Sequence, residues 1–210
     1  MIACQNGHHE IVDKLLEVPD INVTFANGFT ALHYAAAYSG KCTEAFGRVK
    51  GLNWNIKGPF STTPLYCVLK TGCADSLQVV LSRPSIDFSI KRNNCYSVAE
   101  RAVITEKGHH IECLKMMLKV EAVDWNKKLT NGDTPLMWCA RKGKIDKFKL
   151  LIDCPYVNLN LKDNSGDTVA MWALKNKKFI LVKQLATNSR LDLNITDKAG
   201  KTLVKIARFV

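Results

Sequence analysis

The stretch "NGDTPLMWCARKGK" (131–144) returns thirty-four residues later as "SGDTVAMWALKNKK" (165–178). Both copies open on Gly-Asp-Thr, carry a Met-Trp pair followed by a small residue, and close on a basic run. Self-similarity at a fixed period of this size marks architectures in which no unit can bury its apolar face alone. With Thr134 as anchor, the equivalent turn positions are Thr30, Thr63, Tyr96, Thr168 and Thr202, and the six anchors are spaced 33, 33, 38, 34 and 34 residues apart.

Each anchor opens a short helical run, such as "TALHYAAAYSG" or "TPLYCVLKTG". Most then meet a second apolar run, such as "HHIECLKMMLKV" or "KIDKFKLLID". The unit therefore reads as helix, turn, helix. Between units, apolar residues alternate with polar ones, as in Leu52, Trp54 and Ile56 or Val157, Leu159 and Leu161. That is the period of an extended, half-buried segment, so the links are expected to be β-hairpin-like loops.

"TALHYAA" (30–36), "TPLMWCA" (134–140) and "NGHHEIVDKLL" (6–16) resemble the ankyrin-repeat family, and the resemblance runs through the whole chain. It implies an all-α solenoid of stacked helix-turn-helix units linked by β-hairpin-like loops. A single array over 1–210 is expected, with approximate units 1–24 (partial), 25–57, 58–90, 91–128, 129–162, 163–196 and 197–210 (partial). The motif's histidine is present only as His33. Tyr66, Met137 and Met171 stand at the other sites, and the polar link that the histidine makes between neighbouring turns is not expected there.

Pro19, Pro84 and Pro155 should stop the second helices, since proline cannot continue one. The third unit carries about four extra residues around "VITEKG", and Gly47 should weaken the second helix of the first full unit. Met1 falls inside a first helix, and Phe209 and Val210 follow one. Neither end supplies a polar capping unit, so the chain is expected to be a fragment of a longer protein.

Helices of about eight to ten residues do not stand alone in water, so stability must come from stacking. Leu65, Val98, Leu136, Trp138 and Trp172 are the core candidates. Trp54 and Trp125, in the loops, read as a partly buried face at the position of Val23, Phe88, Leu159 and Leu193.

The composition, 47% apolar, suits a globular protein. No apolar run is long enough to span a bilayer and no signal peptide is visible, so a cytoplasmic or nuclear protein is expected. The eight cysteines are scattered and read as reduced thiols. His8-His9 and His109-His110 follow a glycine where the family commonly places Gly-His, so no metal site is assigned. No nucleophile, metal-hydrolase or phosphate-loop motif occurs, and neither catalysis nor a cofactor is expected.

Of the net charge of +11, +2 falls up to Thr105 and +9 from Glu106 onward. The leading expectation is a non-enzymatic scaffold binding another protein, an acidic one by charge, through the concave groove that the resemblance implies. Arg141, Lys142, Lys162 and Lys175 are its basic candidates. Asn27, Phe29, Phe60, Arg92, Asn131, Asp133, Asn164 and Lys198 are its candidates at the tips. Arg141 and Lys142 should stack beside Lys175 and Lys177 at roughly 10 Å intervals, so that their fields add, and the side chains of Arg141 and Lys175 should be solvated. The alternatives are a regulatory arm of a larger enzyme, channel or receptor and, more weakly, binding of nucleic acid or anionic lipid by the basic half.

Overall fold

The computed structural model describes residues 1–17, 27–91, 97–106, 108–129 and 132–208. The expectations for Pro19, Val23, Arg92, Tyr96, Asn131, Phe209 and Val210 lie outside them. The chain divides into two compact units, Met1–Val123 and Asp124–Val210.

Unit 1 contains α1 (Ile2–Gln5), α2 (His9–Leu15), α3 (Ala31–Tyr38), α4 (Gly40–Gly47), α5 (Pro64–Thr71), α6 (Ala74–Leu81), α7 (Val98–Ile104) and α8 (His110–Met117). Odd-numbered helices pack on odd ones and even on even, giving two layers that advance together along the chain. Unit 2 repeats the plan with α9 (Pro135–Arg141), α10 (Ile145–Asp153), α11 (Val169–Lys175), α12 (Phe179–Ala186) and α13 (Leu203–Ala207).

The anchor threonines start the first helices for a local reason. The side chains of Thr63, Thr134, Thr168 and Thr202 each accept a hydrogen bond from the backbone amide three residues on, satisfying a donor that the first turn leaves free. Pro64 and Pro135 follow directly, where their missing N–H costs nothing. In the 38-residue interval the cap is Ser97, one residue beyond the expected anchor. Glu100 completes a capping box there by accepting from the Ser97 amide.

Leu65, Val98 and Leu136 are buried as expected. Trp138 and Trp172 are not core residues. Both are half-exposed, and the neighbouring Met137 and Met171 take the inward position. In a seven-residue helix both members of an apolar pair cannot face the same layer, and the flexible thioether fills the gap. The loop tryptophans are the buried ones, Trp54 at 5% and Trp125 at 1% exposure.

Among the described residues the links contain no strand. Isolated antiparallel bridges join Lys162 to Thr168 and Thr196 to Thr202 in unit 2, and Thr30 of unit 1 also takes part in a bridge. Side chains shape the loops instead. Asn53, Asp124 and Asn158 each accept from the amide two residues on, and those residues, Asn55, Asn126 and Asn160, reach the next loop. Asn55 donates to the Ser85 carbonyl and accepts from the Asp87 amide, at 2.6 and 2.9 Å. Asn126 makes the same pair of bonds to Tyr156 and Asn158, and Asn160 to Arg190 and Asp192.

The helix at Gly47 forms fully and buries Cys42, Thr43, Ala45 and Phe46. Gly47 is its last residue, and a β-carbon there would come within 2.7 Å of the Arg83 guanidinium, which donates to the Gly47 carbonyl. Arg190 stands in unit 2 as Arg83 does in unit 1, donating to the carbonyl of Ile152 in the last turn of α10 and to those of Cys154 and Val157 beyond it.

Candidate functional site

In unit 1 the first helices and tips carry an aromatic cluster. Phe29 meets His33 and Tyr34 edge-on, at centroid distances of 5.3 and 6.2 Å, and Tyr34 stacks with Tyr38 at 6.4 Å. The Tyr34–Tyr38 spacing places both rings on one helix face. Asn27 donates to the Tyr34 hydroxyl at 2.7 Å. These rings and Ala37, with Cys67, Lys70 and Thr71 of α5, line a cleft of about 210 Å³. Phe60 is exposed on the adjoining turn, in the left-handed region at φ 57°.

His33 sits beneath the cluster, 1% exposed. Its Nδ1 accepts from the Thr30 amide at 3.1 Å, so the proton is on Nε2, which donates to the Thr62 carbonyl at 2.9 Å. Burial pushes its pKa below the ordinary 6.5, against the opposing pull of the Thr62 carbonyl.

In unit 2 the tips are joined by charge. Arg141 lies 2.9 Å from Asp133, which precedes its own helix, and 2.5 Å from Asp163 of the next tip. Lys175 stands in the same register, 2.6 Å from Asp167 and 3.0 Å from Asp197. Asp163 and Asp197 also close their own turns, each accepting two backbone amides on the other oxygen. The Arg141 guanidinium lies 5.1 Å from the centroid of the Trp172 ring, which explains why that ring stays at the surface. For Lys175, partial burial lowers the pKa, but the bonds to Asp167 and Asp197 outweigh it and the net shift is upward. Asp197 is held below its ordinary value by the Lys201 amide and then by Lys175.

Arg141 and Lys175 are exposed, but the expectation that their fields simply add is corrected. Each cation is held by two aspartates, and Asp133 is 3% exposed beneath Arg141. Lys142 is exposed just past the end of α9. Lys162 is exposed, with its backbone bridged to Thr168. Asn164 packs over Gly132, a left-handed glycine (φ 83°) with no room for a β-carbon, and its carbonyl accepts from exposed Lys198. Lys198 in turn packs over Gly166.

The structure brings Asn27 and Phe29 together with Tyr34 and Tyr38, which the sequence reading left out. It also adds Asp163, Asp167 and Asp197. The repeated interval of eight residues from Asp133 to Arg141 and from Asp167 to Lys175 was the available signal. Among the described residues no group of three His, Cys, Asp or Glu side chains is arranged to hold a metal. His8 and His109 are the N-cap residues of α2 and α8. Burial pushes the thiols of Cys4 and Cys113 up to about 11 and that of Cys139 up to about 12.

The family description "Ankyrin repeats (3 copies)" matches residues 1–94 and 100–197. The chain belongs to the ankyrin-repeat family. Its fold is similar to the ankyrin repeat domain of Bcl-3, described as a unique member of the IkappaB family. The TM-score is 0.77 at 17% identity, over 99% of this chain and 92% of that one. It is also similar to the ankyrin repeat protein EF0377 (TM-score 0.63, 23% identity, 80% and 84% of the two chains). An ankyrin repeat protein from Leishmania major gives a TM-score of 0.61 at 17% identity, over 98% and 74%. No curated protein matches the sequence. Ankyrin repeats are generally protein-interaction modules, and no described helix here is long and apolar enough to cross a membrane.

Proposed function

We propose that this chain is a non-enzymatic module that binds a segment of another protein on the first-helix face of unit 1. The aromatic cleft carries this reading. At about 210 Å³ it is smaller than a cofactor pocket and of a size for one inserted side chain. Tyr38 is 55% exposed, a large ring offered to a contact, and its neighbours are already held by Asn27 and Phe29. Rings fixed before the partner arrives spare most of the ordering cost of association. Lys70 at the rim favours a partner with a carboxylate beside its apolar anchor. Phe60, exposed on the adjoining turn of the same unit, borders the contact.

The test is photo-cross-linking in cells with a benzophenone amino acid at position 38, and at exposed Gln78 on α6 as a control in the other layer. Discrete protein adducts at position 38 that are missing at position 78 are expected. Equal labelling at both positions, or none at 38, would overturn the assignment.

A further inference from the structure

We infer that unit 2 carries a separate docking surface, between the helix-to-helix turns of successive repeats, for an acidic protein segment that presents an apolar side chain. The inference deepens the reading above and rests on it only in taking a protein as partner. The surface is a cavity of about 420 Å³ between the α9–α10 and α11–α12 turns. Gly143 and Ile145 line one side, and Lys177, Lys178, Phe179 and Ile180 the other. Phe179 is 57% and Ile180 68% exposed, an adjacent apolar pair at the mouth of a cavity, where a lone exposed residue would need no explanation.

Charge distribution gives the second line of support. Unit 2 holds seventeen Lys and Arg against eight Asp, a surplus of nine. Four of the eight aspartates are spent on Arg141 and Lys175 alone. Among the described residues Lys142, Lys177 and Lys178 have no carboxylate partner, and no carboxylate lines the cavity. The nearest acid along the chain is exposed Asp146, beside Ile145. A cleft lined by one sign of charge concentrates a partner of the other sign.

The backbone of Lys177 gives the third. Its φ is 53°, and the equivalent turn residues Gly7, Gly72, Gly108 and Gly143 are glycines at 59–74°. Glycine meets that conformation without strain and lysine does not, so the turn holds a cation where a smaller residue would be more stable. The cavity is concave, with Leu181 and Ala140 at its apolar lining. A bilayer surface is met by a protruding apolar face, whereas a concavity accepts a side chain, which favours a peptide segment over a membrane.

The test pans a displayed library of random peptides on the whole chain at low salt. Enriched peptides are then measured on the parent, on Lys177→Gly, on Phe179→Ser with Ile180→Ser, and on Tyr38→Ala. Expected are peptides rich in Asp and Glu with one large apolar residue. They should bind about tenfold or more weakly to Lys177→Gly and to the serine pair, and unchanged to Tyr38→Ala. Lys177→Gly should at the same time melt higher than the parent, so that lost binding cannot be lost folding. Enrichment of non-acidic peptides, no enrichment, or affinity unchanged by Lys177→Gly would overturn the inference. Peptides lost on Tyr38→Ala alone would overturn it in favour of the unit 1 cleft. Phosphatidylserine vesicles held by the parent and released by Lys177→Gly, with no such peptide found, would overturn it in favour of a lipid surface.

Discussion

In unit 1 the imidazole of His33 ties the turn at Thr30 to the carbonyl of Thr62, whereas in unit 2 neighbouring tips are tied by Arg141 and Lys175, each between two aspartates. The exchange begins with one position. Where unit 1 has His33, unit 2 has Met137 and Met171, which turn into the core and can link nothing polar. The link moves to the far end of the helix, where a long cation reaches back to its own tip and across to the next. The difference teaches that a charge surplus in the sequence does not show which cations are already held by neighbouring carboxylates. Unit 2 holds Arg141 and Lys175 on its own aspartates and leaves Lys177 and Lys178 without a carboxylate partner among the described residues, while unit 1, nearly neutral, carries rings.

The largest expected effect concerns what the units share. Trp54 and Trp125 occupy the same loop register and are buried at 5% and 1%. Trp54→Ala and Trp125→Ala should each cost about 3–5 kcal/mol in urea unfolding. Trp138→Ala, at a half-exposed ring, should cost roughly 1–2 kcal/mol. Equal losses at Trp125 and Trp138 would show that the Met-Trp helix, and not the loop, carries the core.

Next in size is the ladder. Arg141→Ala strands Asp133 and Asp163, whose side chains are each 5% exposed. Breaking a fully buried pair costs about 3–5 kcal/mol, and because Arg141 itself is 33% exposed we discount this to about 2–3 kcal/mol. The loss should lower hydrogen-exchange protection across α9 and α11 and shift the emission of Trp172, which loses the cation above its ring. Lys175→Ala, at a 39% exposed side chain, should cost about 1 kcal/mol or less. An unfolding curve for Arg141→Ala that overlays the parent would remove the ladder from the account of unit 2.

These outcomes also mark what was legible in the sequence. Thr30, Thr63, Thr134, Thr168 and Thr202 begin their helices where the repeat places them, because capping is decided within four residues. Tyr96 misled by one position, although "SVAE" (97–100) already spelled a capping box around Ser97. The inward face of a seven-residue helix was not legible, since Met and Trp side by side satisfy the same apolar pattern. A charge count treats each charge alone, so it does not show that Arg141 and Lys175 are paired, and their second partners lie twenty-two residues away. The cleft needed only Tyr34 and Tyr38, four apart on one helix, but depth depends on α5, which no local pattern shows.

The smallest expected effect separates the two links by pH. Burial holds His33 neutral in the folded chain, with its pKa below the ordinary 6.5. As pH falls through about 6.5 the unfolded imidazole takes a proton that the folded one refuses, so stability present above that pH is lost on the way down to the depressed folded value. Protonation also places a hydrogen on Nδ1, where the Thr30 amide donates. The ladder responds elsewhere. Asp197 is held below its ordinary 3.8, so its contribution is present above that pH and lost only as pH falls toward the lower folded value. Lys175 is raised above 10.5, so its contribution is present below that pH and lost as pH rises through the folded value. Between pH 7 and 5, hydrogen exchange corrected for intrinsic rates should therefore show α3 and α5 losing protection while α9 and α11 hold. In His33→Gln the α3 and α5 difference between the two pH values should vanish. If α9 and α11 soften equally over that range, or if His33→Gln keeps the full pH dependence, the imidazole is not what distinguishes unit 1.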